Sequence, residues 1–146
     1  MSTLIPYLVV HDAGSAIDFY ERAFGAQLRS RMDTPGGTVA HASMEIGGQQ
    51  LMLSDPFDQG PYRSPVDLGG TASGLYLYVD DVDAAFTRAV DAGAEARSPV
   101  QDMFWGDRWG SVMDPFGHVW ELATHVEDVP EEELAERMKA AMPGLN

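Results

Sequence analysis

The chain has 146 residues, of which 45% are hydrophobic and 22% charged, so it is long enough to bury the core of about one domain. Its net charge of −14 would repel a phosphate backbone, which argues against nucleic-acid binding. The chain has no cysteine, so it can form no disulfide and no thiolate site. It has no apolar run near the ~20 residues of a membrane span and no basic, apolar leader. We therefore expect a cytoplasmic protein.

The first predicted unit covers about residues 3–55 and reads as strand, helix and three further strands. Asp12 or Ser15 can cap a helix over residues 16–24, because both side chains accept hydrogen bonds from free backbone amides of a first turn. Alternating apolar residues and glycine turns predict the strands. Their expected ranges are 4–10, 27–32, 39–46 and 50–54.

The second predicted unit covers about residues 73–126 and repeats this order. A shift of about 69 residues lays Met44–Leu53 over Met113–Leu122, so the two units are expected to fold alike. Asp80–Asp83 supplies caps for a helix over residues 84–92. The predicted strands of this unit are 75–79, 95–99, 108–113 and 119–124.

Two segments lie outside the units. The linker of residues 56–72 is rich in Gly, Pro and Asp, and it is long enough for part of it to fold over a ligand cavity. A last helix is expected over about residues 129–142, with Asp128 as its cap. Its apolar stripe needs a surface to pack on, either this chain's own sheet or a second copy. The stripe consists of Leu134, Met138, Ala141 and Met142.

Two motifs carry a resemblance to a known family. Ala16–Tyr20 in the first helix and Asp114–Leu122 near the end of the second unit resemble the vicinal oxygen chelate superfamily, which includes glyoxalase I, extradiol dioxygenases and bleomycin-binding proteins. Met52–Asp55 and Trp105–Arg108 resemble more narrowly its PhnB-like branch. The resemblance implies one α+β domain over residues 1–146, in which two pseudo-symmetric βαβββ units form curved mixed sheets around a cup, followed by a C-terminal helix. It also implies a homodimer.

The resemblance further implies four positions for metal ligands. They fall at Ile5 (or Pro6 with a one-residue slip), Met52, Leu75 and Glu121. A lone carboxylate cannot hold a catalytic Zn, Ni or Fe ion, which needs about three protein ligands. We therefore expect no cofactor, and we expect Glu121 to hydrogen-bond a partner such as Arg108 or a bound ligand. A relocated site for a divalent metal, built from Glu121, His41 and His125, stays open as an alternative.

Aromatic residues predict a small-molecule site instead. Phe104 and Trp105 stand beside Asp107 and Arg108 just before a predicted strand. Ring faces and a few charged groups are typical of ligand pockets. The alternatives are that Asp107 and Arg108 form a structural ion pair, and that Trp120 faces the helix layer. The predicted ligand-binding residues are Trp105, Asp107, Arg108, Phe104, Met52, Phe57 and Tyr62.

Two classes of function follow from these observations. The first is a metal-independent protein that sequesters an aromatic or cationic small molecule, with no nucleic-acid or membrane partner. The second is an enzyme, either a lyase, isomerase or dioxygenase with a partial metal site around Glu121, or a metal-free acid–base catalyst. In the metal-free case Glu121 would be the catalytic residue, acting with His41 or His125.

Overall fold

The computed structural model describes residues 1–144, which form two four-stranded sheets with helices. The predicted domain extended to residue 146, and its last two residues lie outside the described range. No helix in the described range is long and apolar enough to cross a membrane. The elements are β1 (Tyr7–Val9), α1 (Ala13–Phe24), β2 (Gln27–Asp33), β3 (Val39–Ile46), β4 (Gln49–Ser54), α2 (Pro65–Leu68), β5 (Gly74–Tyr78), α3 (Val82–Ala92), β6 (Glu95–Asp102), β7 (Asp107–Met113), β8 (Val119–His125) and α4 (Glu131–Ala141).

The two sheets have the same topology. The strand orders are β1-β4-β3-β2 and β5-β8-β7-β6, so each sheet has one parallel pair, between its first and last strands, and two antiparallel pairs. The predicted α+β class with two βαβββ units is therefore confirmed. β6 continues past Pro99 to Asp102, where the sequence predicted an end, because β6 is an edge strand and proline is tolerated there.

Aspartate caps set the starts of the two main helices. Asp12 accepts a hydrogen bond from the Ser15 amide at 3.2 Å, and Asp81 accepts one from the Ala84 amide at 3.1 Å. Both helices therefore begin directly after their capping aspartate, earlier than predicted. α1 and α3 then pack against the sheets and against each other. The resulting core is continuous across the two units.

Asp114 joins the two units at the centre of this core. Its side chain is 2% exposed and accepts hydrogen bonds from the Tyr20 hydroxyl at 2.7 Å and from Trp120 Nε1 at 2.9 Å. The amides of Phe116 and His118 donate to its other oxygen, both at 2.9 Å. Trp120 is itself buried against α1, as its alternation with Glu121 predicts.

The linker and the tail differ from the prediction. The linker contains a one-turn helix, α2, whose start is capped by Ser64. At the tail, α4 begins after Pro130 without a side-chain cap, so the prediction of Asp128 as its cap is wrong. Asp128 instead contacts His125 Nε2 at 2.6 Å.

The apolar stripe of α4 finds no buried surface in the described residues. Met138 and Met142 remain 42% and 44% exposed, and no residue of α4 is buried. An ion pair holds the helix, in which Arg137 donates to both carboxylate oxygens of Glu127 at 2.7 and 3.0 Å. The stripe is therefore available to another surface.

Candidate functional site

The face of each sheet opposite α1 or α3 is here called its open face. Side chains alternate between the two faces along a strand. In β8, Trp120 and Leu122 are buried in the core, so Glu121, Ala123 and His125 belong to the open face. β8 reaches His125, and Glu121 and His125 therefore share a face as the sequence suggested.

A buried carboxylate organises the open face of the second sheet. Asp107, at the start of β7, is only 2% exposed. Its Oδ2 accepts hydrogen bonds from the hydroxyls of Tyr76 at 2.6 Å and Tyr78 at 2.8 Å, and from Trp105 Nε1 at 3.2 Å. His125 Nδ1 lies 3.0 Å from its Oδ1. We call these five residues the Asp107 cluster.

The cluster changes the pKa values of its members. Burial is the largest influence on the pKa of Asp107 and raises it, but the hydrogen bonds from Tyr76, His125, Tyr78 and Trp105 together hold this pKa below its usual value. Burial, together with the bond to Asp107, raises the pKa of Tyr76. The cluster therefore keeps Asp107 ionised and the tyrosines protonated.

His125 lies between two carboxylates. Its hydrogen bonds to Asp128 and then to Asp107 raise its pKa. Both ring nitrogens face a carboxylate oxygen, Nδ1 at 3.0 Å and Nε2 at 2.6 Å, and only the imidazolium can donate from both. These two contacts are therefore those of a positively charged His125.

This geometry predicts a pH dependence of stability. Because the folded-state pKa of His125 is raised, its stabilising contribution is complete below the unfolded-state pKa of about 6.5 and is lost as the pH rises through the folded value. We expect the free energy of unfolding to fall as the pH rises above about 6.5, and we expect His125→Gln to remove this component. Urea denaturation across this pH range measures it, with His11→Gln as the control. Parallel pH profiles for the wild type and His125→Gln would contradict the assignment.

Aromatic rings surround the cluster. Trp105 makes edge contacts with Phe104 and Trp109, with ring centroids 5.0 and 6.1 Å apart. Tyr76 and Tyr78 lie 5.2 Å apart on neighbouring open-face positions of β5. Trp109 Nε1 is buried and has no hydrogen-bond partner in residues 1–144. The structure thus brings the predicted residues Trp105, Phe104 and Asp107 together.

Sequence reasoning missed Tyr76 and Tyr78 as members of this site. The sequence did indicate that the two side chains lie together, because two tyrosines at positions i and i+2 of a strand lie on one face. That face became recognisable only once β8 and β7 placed His125 and Asp107 beside it.

Arg108 lies on the other face of β7. Its guanidinium donates to both oxygens of Asp83 on α3, at 2.8 and 2.9 Å, and to Asp102 at 3.1 Å. The alternative in which Asp107 and Arg108 form an ion pair is therefore wrong, and Arg108 is not the partner of Glu121 either. The bonds to Asp83 hold α3 against its sheet. Arg108 therefore lies apart from the other predicted ligand-binding residues.

The positions that hold metal in the superfamily do not fit an ion in this chain. Leu75 packs against the core, and the neighbour of Glu121 in register on β5 is Tyr76. Gly74, two residues earlier on the same face, carries no side chain, and an added Cβ there would lie 3.7 Å from Glu121 Oε2. Ile5 and Met52 supply no imidazole or carboxylate.

The relocated site is not assembled either. Within residues 1–144 no three His, Asp or Glu side chains are grouped to hold a metal ion. His125 contacts Asp107 and Asp128, whereas His41 lies beside Tyr7 in the first unit, with ring centroids 5.9 Å apart. Glu121, His41 and His125 therefore form no common site.

A second concavity lies in the first unit. Linker residues and the first sheet together line a cavity of about 160 Å³. Phe57 and Tyr62 are among the residues that line it, and Tyr62 stacks on Tyr7 with ring centroids 6.4 Å apart. Met52 lies nearby on β4, where it pairs with Tyr7. The predicted ligand-binding residues on the open faces thus fall into two groups, one in each unit.

Comparison with known proteins places this geometry in a family. Residues 3–122 match the family described as the Glyoxalase/Bleomycin resistance protein/Dioxygenase superfamily. The chain belongs to this superfamily. The resemblance drawn from its two motifs is thereby confirmed.

Individual proteins are also similar to this chain. The uncharacterized protein Mb0911c of Mycobacterium bovis is 44% identical over 144 residues, which cover 97% of this chain and 95% of the relative. The crystal structure of TioX from Micromonospora sp. ML1 is 32% identical with a TM-score of 0.67, covering 86% of this chain and all of TioX (100%). A PhnB protein from Bacillus cereus, at 21% identity and a TM-score of 0.65, covers 84% of this chain and 99% of its own and shares the fold.

Proposed function

We propose that this superfamily member binds a small aromatic cation on the open face of its second unit, without a metal ion. The observation that carries the proposal is the half-buried carboxylate of Glu121, which has no hydrogen bond or ion pair within residues 1–144 although it lies on a face rich in aromatic side chains. A carboxylate beside ring faces complements an ammonium or a heteroaromatic cation.

The surroundings of Glu121 support a ligand of this kind. On β5 its neighbour in register is Tyr76, and on β7 it is Ser111. Trp105 and Trp109 provide further ring surface on the same face. The net charge of −14 would also raise the local concentration of cations.

A second candidate is metal-free acid–base catalysis, which the contact between Asp107 and His125 favours. A buried carboxylate that holds an imidazolium is the arrangement of a general acid and its positioning group, so His125 would give its proton to the bound molecule. Under this candidate a bound molecule would be recovered chemically altered, and its conversion would depend on His125. Under the binding proposal the ligand is recovered unchanged.

A matched pair of probes tests the binding proposal. N-methylquinolinium and neutral quinoline have the same ring system and differ in charge, so their affinities, measured by isothermal titration calorimetry, report on the role of the carboxylate. We expect the cation to bind more tightly. Glu121→Gln and Trp105→Ala should each weaken its binding about tenfold, because each removes a cation contact of roughly 1–2 kcal/mol.

The control is Asp91→Asn on the exposed side of α3, which removes the same charge away from the open face. Its affinity for the cation should equal that of the wild type. Equal affinities for quinoline and N-methylquinolinium, or a Glu121→Gln variant that binds like Asp91→Asn, would show that Glu121 does not select a cation.

A further inference from the structure

A cleft of about 440 Å³ lies between residues 4–9 and the linker, and we call it the N-terminal cleft. Volumes of this order hold small-molecule ligands in proteins. Its apolar lining is accessible, because Leu4, Tyr62 and Leu68 are 98%, 63% and 66% exposed. Large apolar side chains that cluster at a surface mark a site of interaction, since burying them is favourable.

The charge of this cleft is opposite to that of the chain. The chain has 23 acidic residues, yet no Asp or Glu is found among the described residues that line the cleft. Among these residues the one permanently charged side chain is that of Arg63. His118 also lines the cleft, and its Nε2 donates to the Val9 carbonyl at 3.2 Å, because a carbonyl can only accept. An anion therefore meets a cation here and no neighbouring carboxylate.

Arg63 keeps free hydrogen-bond donors. Six of the nine basic side chains form ion pairs within residues 1–144, and Arg63 is not among them. Its Nη1 donates to the carbonyls of Gly60 and Tyr62 at 3.0 and 3.4 Å, whereas its Nε and Nη2 form no hydrogen bond in this range. The side chain is exposed, so a bound molecule can reach these donors without displacing a protein partner.

We propose that the N-terminal cleft binds a monocarboxylate with an aliphatic chain. The carboxylate would pair with Arg63, whose planar guanidinium matches two carboxylate oxygens. The aliphatic chain would lie on side chains such as Leu4 and Leu68. Neither Glu121 nor any member of the Asp107 cluster lines this cleft, so the cation site and the carboxylate site can each fail without affecting the other.

A carboxylate suits the cleft better than a phosphate does. A phosphate group carries up to two charges and three strong acceptor oxygens, so it needs several donors. The cleft offers one guanidinium, and the hydroxyl of Thr71 already donates to the Ser73 carbonyl at 3.1 Å. Much of the remaining lining is aliphatic, which favours a ligand with a single small anionic group.

Octanoate and octanamide test the proposal, because they have the same carbon chain and differ in charge. Isothermal titration calorimetry of the full chain should show that octanoate binds about fivefold more tightly, the effect expected of one exposed bidentate ion pair. Added salt should reduce this preference, because it screens exposed charges and leaves the apolar contacts in place.

Three variants separate the charge from the apolar contacts. Arg63→Gln should abolish the preference for octanoate, whereas Arg63→Lys, which keeps the charge without the planar fork, should retain part of it. Leu68→Ala should weaken the binding of both compounds. Both positions are exposed, so the fold should tolerate these changes. Arg97→Gln on β6 is the matched control, because it removes the same charge outside the cleft and should bind octanoate like the wild type.

Four results would overturn the proposal. They are the absence of detectable octanoate binding, equal affinities of the wild type for octanoate and octanamide, an Arg63→Gln variant that keeps the preference of Arg97→Gln, and a Leu68→Ala variant that binds both compounds like the wild type. Tighter binding of octyl phosphate than of octanoate would overturn the choice of a carboxylate.

Discussion

Replacing Asp114 with alanine is expected to lower the free energy of unfolding by about 3–5 kcal/mol, because it strips acceptors from several buried donors at once. The Tyr20 hydroxyl and Trp120 Nε1 would both stay in the core without a partner. Neither can reach water, since the two side chains are 0% and 2% exposed. The turn that precedes β8 would also lose the acceptor for its amides at Phe116 and His118.

Chemical denaturation measures this loss, and two variants bracket it. Tyr20→Phe removes one of the donors together with its need for a partner, so it should cost less than Asp114→Ala. Asp91→Ala, at an exposed position of α3, should leave the free energy within about 0.5 kcal/mol of the wild type. Similar effects of Asp114→Ala and Asp91→Ala would mean that Asp114 does not join the two units.

Replacing Asp107 with alanine is expected to affect both stability and binding. Trp105 Nε1 would lose its acceptor, which should cost about 1 kcal/mol, whereas Tyr76 and Tyr78, at 42% and 59% exposed, can turn to water. Trp105 would also lose the bond that positions its ring. The affinity for N-methylquinolinium should therefore fall about tenfold even though Asp107 itself is too buried to touch the ligand.

Asp107→Asn separates these two effects. Asparagine keeps one acceptor oxygen for Tyr76 and Trp105, so this variant should retain most of the affinity while losing part of the stability. Asp102→Ala is the matched control, because this exposed aspartate lies on β6 and pairs with Arg108 away from the open face. If Asp107→Ala bound the cation as tightly as Asp102→Ala, Asp107 would have no part in positioning Trp105.

The fold was largely predictable because its signals are local. Asp12 and Asp81 cap their helices, and the repeat of about 69 residues reflects two units of equal topology. The expected cap at Asp128 failed because α4 begins after Pro130, and the Asp128 carboxylate contacts His125 three residues earlier in the chain.

The candidate site was predictable only in part, because it depends on where a strand begins. β7 begins at Asp107, so Asp107 and Arg108 are consecutive strand residues and point to opposite faces. The expected strand began at residue 108, which left Asp107 in a loop, where its side chain could have turned towards Arg108. In the same way, the register between β5 and β8 places Tyr76 beside Glu121 and Leu75 beside the core residue Trp120, and the sequence of β5 alone does not reveal that register.

The homodimer and the cytoplasmic location stay predictions. The exposed side chains of Met138 on α4 and of Met142 directly after it are the observation that favours a partner surface, since an apolar stripe of this kind usually packs against another element.

The most direct test of metal-independent binding is a titration of chelator-treated protein with N-methylquinolinium, repeated after addition of Ni, Zn, Mn or Fe(II). We predict the same affinity in every case and no ion bound in stoichiometric amount, because Ile5, Met52 and Gly74 leave Glu121 without other ligands. A stoichiometric ion that is required for binding and is lost in Glu121→Gln would contradict this prediction.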